Sequence, residues 1–559
     1  MHVSIVRERV MSFIQEGPQL AHPLHHDRVL RAWLQQNLDD AARATLLPDL
    51  QALADYALLA YARRQNTPRH EPVLTQWDAW GRRVDRIALT PTWDEGAALT
   101  TAHGLLWAGH AADARGLQRA AQFARVYLYH VASEFYTCPL AMTDGTATTL
   151  KASGAAALMQ RALPRFLSRD AATLWLSGQW MTETIGGSDV SRSEVEARQD
   201  ASGQWRLYGR KWFASAIVGE AALALARPSG AGAGNDALGL FYVETRAADG
   251  AWQPGLRIQR LKDKLGTREL PTAETELDGL AATPVGEPKH GVRHIAPMLN
   301  ITRTWNTICA LAAMRRALAL AGNYATRREA FGARLIDKPL HRDTLAGLAA
   351  EFEAAFALGF GVARLLGEVE SGVADADSQA AWRVLTPLAK LWTGKLAVRI
   401  ASECLEACGG AGYIEDTGLP QLLRDAQVYP IWEGTTNVLA LDTLRALGGN
   451  DLAPFAAWLR RQWPADVPGA ALAQTALAAA AQWLQHASRE RAQLEAGARS
   501  LALTLARCAA ATLLARQAQA AAVHGDLRPA ASLRRFLGHG LLRLNMASDG
   551  DCAAILAQD

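Results

Sequence analysis

Short, glycine-divided segments of β-branched and aromatic residues occupy the middle of this chain, between long regions of helical periodicity. From 171 to 285 these segments include WRLYGRKWFAS, ALALAR and LGLFYVETR, which are typical of strands. On both sides, apolar residues recur at three- and four-residue spacing, as in LQALADYALLAYARR, which predicts helices. Because the two kinds of element are segregated along the chain, we expect an α+β fold in which helical domains clasp a β-domain.

The changes in composition predict four domains. They are an N-terminal helical domain over 1–170, a middle β-domain over 171–285, a helical domain over 286–447 and an appended, Ala-rich helical domain over 448–559.

Local signals refine this division. The helix that leads into IASECLEACGG is predicted to stop at Gly409 and Gly410, and Pro387 is predicted to start or kink it. The stretch SGAGAGND at 229–236 is followed by a strand rather than a helix. We therefore predict a hairpin loop there and not a phosphate-binding loop.

Composition excludes several classes of protein. Half of the residues are apolar, and 58 basic against 55 acidic residues give a net charge of +3. The chain is therefore not mainly disordered, and its bulk charge gives no support for nucleic-acid binding. Six scattered cysteines favour a cytoplasmic location over a disulfide framework. We expect no signal peptide, no membrane span and no metal site.

Two segments of the β-domain carry residue types that suit a planar cofactor. MTETIGGSDV at 181–190 combines glycines with hydroxyls, so that backbone N–H groups, Thr182 and Ser188 can bond a ligand lying close to the chain. GRKWFAS at 209–215 places Phe213 two residues before Ser215, and on a strand these two residues face the same side. A flat apolar surface beside a hydrogen-bond donor suits a planar ring.

Two segments of the helical region carry charge. RREAFG at 327–332 ends a helix with Arg328, and a guanidinium can pair with two phosphate oxygens. YPIWEGTTNVLALDTL at 429–444 places Glu433 in a glycine-bearing turn between aromatic residues and a helix. A half-buried carboxylate beside aromatic rings can have a raised pKa and act as a base.

Each of these interpretations has an alternative that the sequence leaves open. Glu433 could serve only to stabilise the first turn of the following helix. Phe213 could belong to the core, and Arg328 could be a solvated helix end.

These segments, in this order, resemble the acyl-CoA dehydrogenase family over about 130–447. TCPLAMTDG at 137–145, LKDKLGTRE at 261–269 and GGAGYIEDTGLPQLLRDA at 409–426 strengthen the resemblance. The appended helices, together with GSDV followed by RKWFAS, look most like the AidB subgroup. The resemblance implies an N-terminal helical domain, a middle β-barrel or sandwich and a C-terminal four-helix bundle, with FAD bound between β-domain and helices in a homotetramer.

The resemblance also implies roles for individual residues. Glu433 matches the catalytic base, and Ser188 and Arg303 would contact the substrate, an acyl-CoA thioester. Phe213 and Ser215 would flank the isoalloxazine ring, while Arg328 and Phe331 would reach the FAD of a neighbouring subunit. The full set implied for FAD is Met181, Thr182, Ser188, Phe213, Ser215, Arg328, Phe331, Gly409, Gly410, Thr435 and Asn437.

The implied reaction is abstraction of an α-proton by Glu433 with transfer of the β-hydride to flavin N5, and an electron-transfer flavoprotein is an implied partner. The AidB resemblance implies an alternative, a flavoprotein of the alkylation-damage response that binds double-stranded DNA and has vestigial catalysis. From 451 onward the chain has eleven Arg and eight acidic residues. Arg528, Arg534 and Arg535 form one local basic patch, and subunit packing also explains this tail. A flavin oxidase of the nitroalkane type is a third alternative.

Overall fold

The computed structural model describes residues 15–448, 451–544 and 549–557. Its helices are α1 Arg28–Asn37, α2 Asp40–Asn66, α3 Pro91–Ala102, α4 Gln118–His130, α5 Thr137–Ser153, α6 Ala156–Phe166, α7 Gly291–His294, α8 Ala296–Arg327, α9 Pro339–Glu370, α10 Ala376–Glu406, α11 Leu419–Ala426, α12 Thr436–Ala446, α13 Ala453–Gln462, α14 Ala470–Ala487, α15 Arg491–Ala522, α16 Arg528–Gly538 and α17 Asp549–Leu556. Its strands are β1 Val73–Trp77, β2 Arg83–Ala88, β3 Ser177–Trp180, β4 Glu196–Gln199, β5 Trp205–Ala214, β6 Ala221–Pro228, β7 Gly239–Glu244, β8 Leu256–Leu261, β9 Ala273–Pro284, β10 Glu329–Ala330 and β11 Ala333–Arg334.

The middle strands form a barrel, as the α+β prediction expects. Strands β6, β4, β5, β9 and β7 follow one another, and β7 pairs again with β6 to close the ring. β3 lies parallel to β6 on one side and β8 pairs with β9 on the other. The barrel has its own core, which includes Trp180, Leu207 and Phe241. Because β6 and β7 are antiparallel neighbours, the prediction of a hairpin loop at 229–236 is confirmed.

The N-terminal region is mainly helical, as predicted, but it also contains a hairpin that was not predicted. β1 and β2 form an antiparallel hairpin in which Val73 pairs with Ala88. Gln76 Nε2 attaches the hairpin to the barrel by donating to the carbonyl oxygens of Ile258 and Gln259, each at 3.0 Å. Strands of 5 and 6 residues are short, and prolines flank the region on both sides, so the alternation of VLTQW and RVDRIA gives only a weak signal.

The helices before and after the barrel share one continuous hydrophobic core. It runs from Leu30 in α1 through Phe123 in α4 and Trp305 in α8 to Leu514 in α15 and Phe536 in α16. The appended helices therefore pack on the same apolar cluster as the helical bundle. Two helices, Pro339–Glu370 and Arg491–Ala522, are long and apolar enough to cross a membrane, but their most apolar windows are 78% and 83% buried inside the fold, as in core helices of folded domains.

The helix α10 tests two local predictions. It ends at Glu406, and Gly409 follows with φ +59°, so the predicted stop at the glycine pair is confirmed. The helix begins at Ala376 and contains Pro387 in its interior. The expectation that Pro387 starts this helix is therefore wrong. Proline removes one backbone hydrogen bond, and the packing of a 31-residue helix against its neighbours stabilises the helix by more than this loss.

Candidate active site

Glu433 occupies a strained turn and turns its carboxylate toward α8. Its φ is +59° and that of Gly434 is +100°, a conformation that is uncommon for a residue with a side chain. Thr302 on α8 donates its hydroxyl hydrogen to Glu433 Oε2. Burial raises the pKa of Glu433, and the hydrogen bond from Thr302 and the nearby positive charges only partly oppose this rise. The direction agrees with that expected from the sequence.

Two cations hold the main chain of this turn. Arg303 Nε donates to the carbonyl oxygen of Glu433 at 3.3 Å while its Nη1 binds Asp442 Oδ2 at 2.6 Å. Lys390 Nζ donates to the carbonyl oxygen of Gly434 at 2.6 Å. Lys390 is fully buried, and burial lowers its pKa to about 7. The turn is thus fixed from α8 and from α10.

Thr435, rather than Glu433, caps the helix that follows the turn. Thr435 is the N-cap residue of α12, and its hydroxyl accepts the backbone N–H of Val438. The carboxylate of Glu433 bonds Thr302 instead. Glu433 is therefore not the cap of α12. Asn437, in the first turn of the same helix, is exposed.

The aromatic residues before Glu433 anchor the turn to the helical core. The hydroxyl of Tyr429 lies 2.7 Å from His130 Nε2, and Asn306 Nδ2 donates to the Tyr429 carbonyl oxygen at 3.0 Å. The Trp432 ring meets the Phe135 ring edge-on, with centroids 6.2 Å apart. These contacts limit how far the carboxylate at 433 can move.

The end of β3 faces the carboxylate from the barrel side. Gln179 is close enough for its side chain to lower the pKa of Glu433 through a hydrogen bond. Its Nε2 lies 3.1 Å from Met181 Sδ, while its Oε1 is buried without a partner in the described part of the chain. An unused polar atom of this kind indicates a ligand or water in this crevice.

A buried ion pair fixes the glycine-bearing loop that follows β3. Lys211 Nζ donates to Glu183 Oε1 at 2.6 Å and to the carbonyl oxygen of Leu225 at 2.7 Å. The other oxygen of Glu183 accepts the backbone N–H of Glu194 at 2.6 Å. A Cβ at Gly186 would lie 2.3 Å from a backbone oxygen of the same loop, so only glycine permits this turn. Ser188, at the tip, is exposed.

Phe213 lies beside this loop and is not part of the core. Trp212 N donates to the Thr182 carbonyl oxygen at 2.9 Å, which ties the strand to the loop. The ammonium of Lys262 lies 4.5 Å from the centroid of the half-buried Phe213 ring and 3.9 Å from that of Trp212. β5 is irregular after Lys211 and ends at Ala214.

Ser215 therefore lies in the turn after the strand, so strand alternation does not determine which side it faces. The set as a whole still fits a planar polar heterocycle. It offers the half-buried Phe213 ring, hydroxyls on the adjoining loop, and the unused Oε1 of Gln179.

Arg328, Phe331, Gly409 and Gly410 form a second group at the far end of α8. At 1.5 Å per residue, Arg328 lies roughly 39 Å along the helix axis from Thr302. Tyr324 and Cys408 share a small apolar cluster that holds the two parts of this group together. Phe331, at the tip of the hairpin β10–β11, is 98% exposed. The structure brings Glu433, Arg303, Met181, Thr182 and Phe213 into one region and leaves this second group outside it.

Sequence reasoning missed Thr302, Lys390 and Gln179. A lysine in the apolar stretch LTPLAKLWTG was a usable signal, because a charge on a buried helix face needs a specific partner. Thr302 and Gln179 carried no comparable signal. They become visible only when α8, β3 and the turn at 433 are brought together.

Two of the strengthening motifs make contacts that hold the fold together. Asp144 of TCPLAMTDG is buried and accepts hydrogen bonds from His110, Arg119, Gln122 and Trp305.

The other motif, LKDKLGTRE, packs against α11. A Cβ at Gly266 would lie 2.4 Å from the Arg424 carbonyl oxygen, and Thr267 N donates to Asp425 Oδ1 at 2.7 Å.

The basic patch expected in the tail is largely neutralised. Arg528 Nε binds Glu353 Oε1 at 2.6 Å, and Arg535 Nη2 binds Asp343 Oδ2 at 2.7 Å. Both acids belong to α9, so these arginines dock α16 onto the bundle. Arg534 is exposed. Among the described residues, no group of three or more His, Cys, Asp or Glu side chains could hold a metal ion.

Comparisons with known proteins give consistent results along the chain. Three family models match it, "Adaptive response protein AidB N-terminal domain" over 19–171, "Acyl-CoA dehydrogenase, middle domain" over 178–280 and "Acyl-CoA dehydrogenase, C-terminal domain" over 289–448.

Among curated proteins, the chain is 40% identical to acyl-CoA dehydrogenase family member 11 of Caenorhabditis elegans over 461 residues, which covers 80% of this chain and 74% of that protein. It is 34% identical to the putative acyl-CoA dehydrogenase AidB of Escherichia coli K12 over 388 residues, 67% of this chain and 69% of that protein. The crystal structure of ACDH-11 from C. elegans in complex with C11-CoA superposes with a TM-score of 0.91 at 35% identity, over 97% of this chain and 95% of that one.

Proposed function

Because this chain belongs to the acyl-CoA dehydrogenase family, we propose that it oxidises an acyl-CoA thioester with FAD as its redox cofactor and Glu433 as the base. The observation that carries the proposal is the carboxylate of Glu433, held in a strained turn, with a raised pKa and with a hydrogen bond from Thr302. The complex of ACDH-11 with C11-CoA supports a medium-chain acyl thioester as the first substrate to test.

Glu433 removes the α-proton of the thioester. We propose that the proton goes to Oε1, the oxygen that Thr302 does not bind. A raised pKa brings the base closer to the pKa of a weak carbon acid, so that proton transfer becomes less uphill. Arg303 and Lys390 keep the turn in place while the carboxylate loses its charge, since they hold its carbonyl oxygens rather than the carboxylate itself.

Residues of the first region would hold the flavin. We propose that Met181, Thr182, Phe213 and Ser215 contact its ring, beside the unused Oε1 of Gln179. When bound, FAD supplies the acceptor for the β-hydride.

The second group, at the far end of α8, lies too far away to reach the same ring within one chain. We propose that Arg328, Phe331, Gly409 and Gly410 contact FAD bound to a neighbouring copy in a homo-oligomer, as the resemblance implies.

The proposal predicts that a Glu433→Gln variant still binds FAD but no longer reduces it. Purified protein is mixed anaerobically with undecanoyl-CoA, and the loss of visible flavin absorbance is followed. The wild type should bleach, and the variant should bleach roughly 10²–10⁴-fold more slowly, because the amide cannot accept the proton. A variant with unchanged bleaching would show that another group is the base.

The matched control is Glu406→Gln, which makes the same change of side chain at an exposed carboxylate at the end of α10 and should leave bleaching unchanged. A wild-type protein that retains FAD yet bleaches with no acyl-CoA of any chain length would contradict the proposed reaction. The alternative of DNA binding gains no support from the tail, where Arg528 and Arg535 are paired with acids of α9.

A further inference from the structure

A second cavity, of about 900 Å³, lies where the hairpin β1–β2, helix α3 and the barrel meet. Its wall includes none of the residues that we assign to the base, the substrate or FAD. A cavity of this size can enclose a small organic ligand. It is also built by a part of the fold, the hairpin β1–β2, that the proposed reaction does not use.

The charges around this cavity balance. Three arginines, Arg83, Arg86 and Arg246, and three acids, Asp85, Asp94 and Glu220, line it. A polyanion would meet as many repelling as attracting groups. The wall therefore favours a neutral or zwitterionic molecule with both donors and acceptors.

Arg246 offers an unused guanidinium to this cavity. Its Cζ lies 3.3 Å from the centroid of the Trp252 ring, and no hydrogen bond or ion pair of its side chain occurs among the described residues. Burial lowers the pKa of Arg246. Trp252 is fixed in turn, because its Nε1 donates to the Asp85 carbonyl oxygen at 3.0 Å. The guanidinium is thus held flat on a ring, with its edge donors available.

Glu220 supplies the complementary acceptor. Its Oε2 accepts the backbone N–H of Leu176 at 2.7 Å. Burial raises the pKa of Glu220, and the charge of Arg246 opposes that rise, although the two side chains form no ion pair. The hydroxyl of Tyr136 has no partner in the described residues, and it lies close enough to Glu220 for the carboxylate to raise the pKa of the phenol, after burial. The Glu220 carboxylate and the Arg246 guanidinium therefore both line the cavity without pairing with each other.

We propose that this cavity binds a planar nitrogen heterocycle with the edge pattern of guanine. Adjacent N–H donors on such an edge match a carboxylate, here Glu220, and the neighbouring carbonyl and ring nitrogen match a guanidinium, here Arg246. The Trp93 ring in the same wall offers a stacking surface for such a heterocycle. The proposal does not depend on the acyl-CoA reaction.

Saturation-transfer NMR on the full-length, flavin-loaded protein tests this site with guanosine as the probe. We expect saturation of the guanosine base protons and binding at least roughly ten-fold tighter than that of adenosine, whose corresponding edge presents donors and acceptors in a different order. Arg246→Met and Glu220→Gln should each weaken guanosine binding roughly ten-fold or more. Gln keeps an acceptor for Leu176 N–H but presents an N–H₂ group to the donors of the base.

Arg210→Met, an exposed substitution on β5 outside the cavity, is the matched control and should bind guanosine like the wild type. Circular dichroism and flavin absorbance check that the variants fold, and two variants on opposite walls keep the test informative if one of them does not. Absence of saturation transfer to guanosine, equal binding of adenosine, or displacement of guanosine by undecanoyl-CoA would each overturn the proposal.

Discussion

Glu433 combines two conditions that each cost free energy, a positive φ and a partly desolvated carboxylate. A non-glycine residue in the left-handed region costs of order 1 kcal/mol or more, and burial raises the pKa of the group. The turn tolerates both conditions because Arg303 on α8 and Lys390 on α10 donate hydrogen bonds to its carbonyl oxygens. The strain places the carboxylate opposite Thr302 on α8, where the proposed reaction needs it.

The hydrogen bond from Thr302 sets part of the acidity of the base. Because it lowers the pKa of Glu433, Thr302→Val should raise that pKa further. The carboxylate is the active form, so the proposed activity rises with pH through the pKa of Glu433, and this ascending limb should move to higher pH in the variant. The measurement is the pH profile of kcat/KM.

Thr304→Val is the matched control for this prediction. Thr304 lies on the same helix, but its hydroxyl donates to the Asn300 carbonyl oxygen. Its variant should leave the ascending limb in place. An unmoved limb in Thr302→Val would show that the hydrogen bond to Glu433 does not contribute to the titration.

The buried Lys390 predicts a descending limb of the pH–activity profile on the alkaline side. Its pKa is lowered to about 7 by burial, so raising the pH through this value removes the charge that holds the Gly434 carbonyl oxygen. We expect the proposed activity to fall on the alkaline side. Lys390→Met removes a charged hydrogen bond, so it should raise the activation barrier by about 1.5–3 kcal/mol and lower kcat accordingly. It should also abolish the falling limb.

Lys395→Met, on the same helix but at an exposed position, should retain the wild-type profile. If the falling limb persisted in Lys390→Met, another group would be responsible for it, and Lys264, whose pKa burial lowers to about 8, would be the next to test.

At the level of single residues, the sequence was sufficient to single out Glu433 and insufficient for its surroundings. Glu433 could be singled out because it is a carboxylate in a Gly-bearing turn among aromatic residues. Thr302 and Gln179 could not, since threonine and glutamine are common on helices and strands and only the assembled crevice shows what they contact. The side that Ser215 faces could not be derived from alternation, because β5 is irregular after Lys211 and ends at Ala214.

Among the elements, α8 has the greatest influence on the site. One end carries Thr302 and Arg303, and the other leads into the hairpin with Phe331. Its long periodic pattern made this helix predictable. The hairpin β1–β2 was not predicted, because two short strands between prolines give a weak alternation, and their position against β8 depends on side chains such as Gln76.

The contact between the 261–269 segment and α11 gives a prediction at this scale. Gly266→Ala would bring a Cβ to 2.4 Å from the Arg424 carbonyl oxygen, so the segment and the helix must separate. We expect a loss of about 1–3 kcal/mol in the free energy of unfolding, measured by urea denaturation.

Gly322→Ala is the matched substitution. Gly322 lies within α8 with no atom within 4 Å of the added Cβ, so alanine should stabilise the protein by about 0.5–1 kcal/mol. Equal effects of the two variants on the free energy of unfolding would contradict the close approach at Gly266.

For the whole molecule, the exposed tip at Phe331 predicts assembly. A phenylalanine that is 98% exposed beside Arg328 fits a surface covered by another copy. Phe331→Asp should shift the protein to a smaller species in sedimentation velocity and should release FAD on gel filtration, because the proposed second set of FAD contacts is lost.

Val523→Asp, which changes another exposed apolar residue at the end of α15, should alter neither the sedimentation nor the FAD content. A Phe331→Asp variant that sediments like the wild type and keeps its flavin would contradict a shared site.

The uninterrupted core of the helical regions has a consequence for how this protein can be dissected. Leu514 and Phe536 pack in the same cluster as Trp305, and Arg507 pairs with the buried Glu351 of α9. A truncation after α12 would not yield a minimal enzyme. It would expose this cluster to water and leave the buried Glu351 without its counter-ion. Removing these last helices would therefore require matching substitutions on the faces of α9 and α10 that receive them.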